Sequence, residues 1–309
     1  MSVNDQTYIR TKGLSLTTPM GVVYENVDIS VNKGEVVALF GTEGSGKTSL
    51  LLTLSARMRY KSGVATVAGF DLKRQHRKVR DISNITLVHR VNDVPENARC
   101  RDILSAELQV VGKSGRRAKV EQYFEDWNIA EAADVKFKDL DSYTAKRFDI
   151  ALACAGEPQI LMVDDIQNGL TQHQSLRIID LLRGLAQAKG VTVVIGTVEY
   201  DIARHCDKVI VFSPSAERQH QACVADNGPS VECVVCGTGN GVAVSSAKSN
   251  AASRTAENRS GSAVSQTASA QSAVNAAADS NSQSKQATAG YSILDELAAP
   301  ANNQEEGGR

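Results

Sequence analysis

Apolar and polar positions alternate through two early runs, TYIRTKGLSL and VVYENVDISV, parted by Thr17-Thr18-Pro19-Met20-Gly21. That period of two with a central breaker predicts an antiparallel pair of half-buried strands over residues 7–30. The pattern then changes to short, fully apolar runs with helical stretches between them. Residues 35–40 (EVVALF) predict a buried strand, 49–58 a helix, 62–71 a short strand with a glycine turn, and 85–88 another strand. A long helical block follows over 101–134, with Trp127 read as a core or subdomain-interface aromatic. Residues 143–155 and 176–189 predict helices, while 160–163, 191–195 and 208–212 predict strands. Strands alternating with helices imply an α/β fold whose mostly parallel sheet is covered on both faces, with an antiparallel β edge and an inserted helical subdomain at about 100–157.

After Phe212 the pattern stops. Residues 213–290 contain no Phe, Trp or Tyr and are dominated by Ala, Ser, Asn, Gln and Thr. Such a composition buries too little apolar surface to offset the entropy of ordering it. The expected organisation is therefore one globular domain over 1–212, a low-complexity disordered tail over 213–290, and an apolar return at 291–300 (YSILDELAAP) that suits a short docking helix. Residues 301–309 are expected to be disordered. Within the tail, His220-x-x-Cys223 and Cys233-x-x-Cys236 have zinc-like spacing at each end, but no aromatic residues accompany them. A small metal knuckle and a chance spacing both fit.

Formal net charge is −1, which gives no bulk attraction for nucleic acid or anionic membrane. Two local basic clusters, KRQHRKVR at 73–80 and KSGRRAK at 113–119, read either as solvated surface or as contacts to nucleic acid or phospholipid heads. No apolar run reaches the length of ~18 residues that crosses a bilayer, and MSVNDQ is not a signal peptide. Cys100, Cys154 and Cys206 are widely spaced and need no disulfide. A cytoplasmic protein is expected.

The chemistry centres on Gly41-Thr42-Glu43-Gly44-Ser45-Gly46-Lys47-Thr48, which fits GxxxxGK[ST] at each fixed position. A strand that feeds a glycine loop opening a helix points backbone N–H groups and the positive helix end at one small volume, and a di- or triphosphate fits there. Gly41, Glu43, Gly44, Ser45, Gly46 and the neighbouring Ser49 would surround the phosphates. Lys47 would reach the β/γ-phosphates and Thr48 would ligate Mg²⁺. A second element is Ile160-Leu161-Met162-Val163-Asp164-Asp165, four apolar residues then two acids. A carboxylate at the end of a buried strand can hold Mg²⁺, and the next can orient an attacking water.

With these two elements the chain resembles the ATP-binding cassette (ABC) ATPases, P-loop NTPases that serve as nucleotide-binding subunits of ABC transporters. The resemblance covers about residues 8–212 and is carried by ENVDISVNKGEVVALFGTEGSGKTSL, SGVATVAGFDL, ALACAGEPQILMVDD with NGLT, and TVVIGT with CDKVIVF. It implies ATP and Mg²⁺ as ligands, Lys47 and Thr48 as Walker A residues, Asp164 as the Walker B acid, and Asp165 in the place of the catalytic glutamate. It also implies a membrane-spanning transporter subunit and a second ATP-binding subunit as partners, and a location on the inner face of the cell membrane. No nucleic acid is expected.

The sequence departs from the family at the groups that work on the γ-phosphate. The signature LSGGQ falls on Leu140-Asp141-Ser142-Tyr143-Thr144, where Tyr143 fills space that glycine leaves bare and Asp141 repels phosphate. Asp141 and Ser142 suit the N-cap of the following helix better. The Q-loop glutamine falls near His89-Arg90, the D-loop aspartate on Thr171 and the switch histidine on Val198. The adenine-stacking aromatic falls near Thr18, with Tyr8 or Tyr24 as substitutes. Two functions follow: a transporter ATPase subunit with weak hydrolysis, or a catalytically inactive nucleotide-binding regulatory or scaffold protein.

Overall fold

A computed structural model describes residues 7–113, 115–213 and 230–235. Two sheets sandwich one helix. The first is antiparallel, built from β1 (Thr7–Thr18), β2 (Gly21–Val27), β3 (Ser30–Asn32), β5 (Ser62–Val67) and β6 (Phe70–Asp71), in the order β2-β1-β5-β6 with β3 also on β1. The second is parallel and contains β4 (Val36–Phe40), β7 (Ser83–Ile85), β8 (Ile160–Val163), β9 (Thr192–Thr197), β10 (Lys208–Ser213) and β11 (Ser230–Val235), in the order β11-β10-β4-β9-β8-β7. The expected antiparallel edge is thus a separate sheet.

Alternation along the parallel strands assigns their two faces. Val37, Leu39, Met162, Val194 and Ile210 pack with Leu50, Leu51 and Leu54 of α1 (Lys47–Leu54) and with the antiparallel sheet. Their neighbours Val36, Ala38, Val163, Val193, Ile195 and Val211 face the opposite core. That core takes residues from α3 (Cys100–Val110), α5 (Ser142–Ala153), α6 (Gln172–Lys189) and α7 (Tyr200–Ala203). These strands read as continuous apolar runs because both faces are covered. Trp127 is 7% exposed, in the same core, just after α4 (Arg117–Asp126). The expected helical block is therefore α3, α4 and short 3₁₀ turns.

Three differences from the sequence expectation have physical causes. First, β7 ends at Ile85: the Thr86 amide still donates to the Met162 carbonyl at 3.0 Å, but the Leu87 amide is diverted to the Asp149 carboxylate at 2.7 Å. Second, α6 begins at Gln172, four residues early, because Thr171 and Gln174 form a capping box that satisfies the first amides reciprocally. Third, β11 extends the parallel sheet beyond the expected end of the domain. Its backbone pairs in register from Lys208↔Ser230 to Ser213↔Val235. One segment of the expected tail is therefore a strand. Most of 213–290, the 291–300 docking segment and His220, Cys223 and Cys236 lie outside the described residues.

A small helix, α2 (His76–Ile82), occupies the basic run at 73–80. Cys100, Cys154 and Cys206 are free thiols, and burial pushes those of Cys154 and Cys206 up to about 12. Among the described residues, no helix is long and apolar enough to cross a membrane.

Candidate functional site

The glycine loop lies between β4 and α1, at the carboxyl end of the central strands. Two of its glycines are fixed by sterics. A Cβ on Gly41 would lie 1.9 Å from the carbonyl oxygen of Phe212 in β10. Gly46 has φ 95°, and a Cβ there would meet the Val23 carbonyl at 2.9 Å. Gly41→Ala is therefore expected to push the loop off β10. It should lower the melting temperature and nucleotide affinity together, and a variant with unchanged melting and binding would contradict this packing.

Lys47 is 6% exposed, and its Nζ donates to the carbonyls of Gly41 at 2.9 Å and Thr42 at 2.8 Å. Burial lowers its pKa, while the carboxylates of Asp165, Asp164 and Glu43 oppose that shift. Thr48 Oγ1 donates to Asp164 Oδ2 at 2.7 Å, bringing the two sequence-predicted metal ligands into contact. Asp164 is 6% exposed, and burial raises its pKa. Its Oδ1 is buried with no hydrogen-bond partner, as is Ser45 Oγ. An orphaned carboxylate oxygen beside a hydroxyl fits a hard divalent cation that takes its remaining ligands from phosphate and water.

Above these groups opens a cavity of about 710 Å³ lined by Glu43, Lys47, Thr48, Ser49, Asp165 and Val198, with Val23, Gly44 and Gly46 at its wall. Gly41 and Ser45, in the same loop, are buried and do not line the cavity. Asp165 is exposed and has φ 44°, a left-handed backbone that Asp tolerates better than most residues. Val198, the residue after β9, presents an apolar side chain where the resemblance places a histidine.

The remaining family positions have structural occupations here. Asp141 is the N-cap of α5 and accepts from the amides of Tyr143 at 3.0 Å and Thr144 at 3.1 Å. The Thr144 side chain first, and then those amide bonds, hold its carboxyl below the usual range. The start of α5 thus already carries its own carboxylate, and the guanidiniums of Arg147 and Arg177 lie over the Tyr143 ring at 5.8 and 5.5 Å from its centroid. His89 is exposed and pairs with Asp93 at 3.7 Å, in a neighbouring cavity of about 630 Å³ that also reaches Thr48 and Asp164. Neither tyrosine proposed to stack on adenine is placed for it. Tyr24 is 1% exposed and bonded to Thr53, and Tyr8 donates to Gln159, which precedes β8 while Asp164 follows it.

Sequence reading missed Val23, Gln167 and Asn168 on the cavity, and Thr86, whose hydroxyl accepts from the Asp164 amide at 3.2 Å. It also missed Asp149 on α5. This carboxyl accepts from the Leu87 amide and lies 3.8 Å from Lys146, whose Nζ also donates to the Asp164 carbonyl at 3.4 Å. Burial raises the Asp149 pKa to about 6, with Lys146 and the Leu87 amide pulling the other way. The fold therefore binds this proton more tightly than the unfolded chain does. Its contribution to stability is full at low pH and falls as pH rises from the ordinary carboxylate range through about 6. Thermal melts of Asp149→Asn against the parent should show the difference (variant minus parent) growing from pH 4 to pH 7. A difference that stays flat over that range would contradict a raised pKa.

Fold and cradle together define a P-loop NTPase of the ABC type. The family model described as ABC transporter matches residues 24–168. The methionine import ATP-binding protein MetN of Streptomyces coelicolor is 30% identical over 214 residues, which are 66% of this chain and 60% of that protein. The chain thus spans less than two thirds of that relative's length. The glutamine transport ATP-binding protein GlnQ of Bacillus subtilis is 27% identical over 209 residues, 66% of this chain and 86% of GlnQ. Among solved structures, a dimeric ATP-binding cassette in a post-hydrolysis state bound to ADP and Pi superposes with a TM-score of 0.58 at 22% identity, over 66% of this chain and 94% of that one. A nucleotide-free cassette from an ABC transporter gives 0.58 at 18% identity, over 72% and 96%.

Proposed function

We propose that this chain is an ATP-binding subunit of an ABC-type membrane transporter that binds Mg-ATP and hydrolyses it weakly. The observation that carries the reading is the contact of Thr48 with a buried Asp164 whose second oxygen is unpartnered, directly below the Lys47 loop. Lys47 and the loop amides would hold the β- and γ-phosphates, and Thr48 and Asp164 would hold Mg²⁺. Bound Mg²⁺ supplies charge neutralisation on the phosphate oxygens. Asp165 would orient the attacking water from the cavity wall. Its carboxylate stands one methylene short of a glutamate's reach, and Val198 offers no hydrogen bond to water or phosphate.

Weak hydrolysis also follows from the start of α5. In the resemblance, that helix end meets the γ-phosphate of a second ATP-binding subunit. Here Asp141 has taken the free amides, and its negative charge faces outward. A subunit that binds ATP but rarely cleaves it would act by closing on nucleotide, and a cytoplasmic site on the inner face of the membrane places that closure beside a membrane-spanning subunit. The same features favour the alternative of a catalytically inactive regulatory protein, which differs in lacking the membrane partner. Native membranes solubilised in mild detergent distinguish the two. The transporter reading expects the chain to sediment with membranes and to co-purify with an integral membrane protein; recovery only in the soluble fraction, free of such a partner, would favour the regulator.

A further inference from the structure

The opposite end of α1 from the P-loop opens onto a third cavity, of about 540 Å³, that shares no lining residue with the P-loop. Eight residues of helix separate the two, on the order of 12 Å of rise. Five of its lining side chains are cationic or can become so: Arg57, Arg59, Lys73, His76 and Arg80, with Tyr60 among them. None of the lining residues is a carboxylate.

Two of the five are held in place by the protein. Arg57 donates to the Ser55 and Ser83 carbonyls and, at 2.6 Å, to Asn84 Oδ1, and Arg80 donates to the Ala56 carbonyl at 2.8 Å. Those bonds satisfy donors without neutralising charge. Burial first and then the neighbouring Arg80 lower the Arg57 pKa, so the two guanidiniums repel each other across the cavity. Glu107 acts on Arg57 and Asp71 on Tyr60, and neither carboxylate lines the cavity. Arg59, Lys73 and His76 make no side-chain hydrogen bond, and none of the five forms an ion pair among the described residues. The Ser55 and Ala56 carbonyls just past α1, with the Ser83 and Asn84 oxygens, hold Arg57 and Arg80, and leave Arg59, Lys73 and His76 on the cavity with no partner among the described residues.

We infer that this cavity is a binding site for a phosphate-bearing anion. Arg57 and Arg80 form its fixed base, and Arg59, Lys73 and His76 close over the phosphate from the rim. The apolar lining of Met58 and Leu72, with the volume, suits a phosphate ester better than inorganic phosphate alone. A lipid headgroup and a soluble phosphate ester share this chemistry.

The test uses the full chain carrying Lys47→Ala, so that the P-loop does not report. Glycerol 3-phosphate is titrated by calorimetry, and vesicles of phosphatidylglycerol or of phosphatidylcholine are tested by co-sedimentation. Binding of glycerol 3-phosphate assigns a soluble ester, and binding only to phosphatidylglycerol vesicles assigns a headgroup; either supports the site. In both arms, adding Arg59→Gln, Lys73→Gln and His76→Gln should weaken binding at least tenfold. These side chains hold no structural bonds, so melting should not move, and the same three changes with Lys47 intact should leave Mg-ATP affinity as it was. No binding in either arm, or binding that survives the three substitutions in full, overturns the proposal.

Discussion

Replacing Lys47 with alanine is expected to cost at least tenfold in Mg-ATP affinity. One charge-assisted contact to phosphate contributes about 1.5–3 kcal/mol, and each 1.4 kcal/mol is roughly a factor of ten. The lysine is already oriented: its Nζ is held by the Gly41 and Thr42 carbonyls, so little side-chain entropy is lost when phosphate arrives. Those bonds also brace the loop, and the alanine variant removes both roles. Lys47→Arg separates them, because a guanidinium keeps the charge but not the compact ammonium geometry. Titration of a fluorescent ATP analogue with Mg²⁺ should give weak binding for the alanine variant. Equal affinity in parent and variant would show that the loop is not the phosphate site.

The second large effect is expected at Asp165. A carboxylate withdrawn by one methylene misplaces its oxygen by roughly 1 Å, and displacements of that size cost on the order of 100-fold in rate. Asp165→Glu should therefore raise single-turnover hydrolysis by about ten- to a hundred-fold, with a further gain when Val198→His is added. The left-handed φ of 44° is more comfortable for Asp than for Glu, so a small loss of stability should accompany the gain. A parent enzyme as fast as the Asp165→Glu variant would remove the argument for weak hydrolysis.

Most of the fold was readable because its signals are local. Strands covered on both faces write themselves as runs such as VVALF and ILMV, and Gly41 and Gly46 of the loop mark positions where a Cβ has no room. The N-cap role of Asp141 was likewise legible from a carboxylate set before an apolar helix. What escaped the sequence depends on contacts distant in the chain. Asp149 looks like a misplaced polar residue on α5 until Leu87, 62 positions earlier, is seen to donate to it. Tyr24 and Tyr8 were candidates to stack on adenine until Thr53 and Gln159 were found holding them elsewhere. The β11 strand was invisible because its stability comes from pairing with β10 rather than from its own pattern.

The central claim is that the chain holds Mg-ATP and keeps it. Incubating the purified chain with Mg-ATP, removing free nucleotide rapidly, and separating the bound nucleotide by chromatography over time tests it most directly. The account predicts stoichiometric nucleotide recovered mainly as ATP, turning to ADP far more slowly than in Asp165→Glu. Recovery of no nucleotide, or of ADP formed as fast as by that variant, would contradict it.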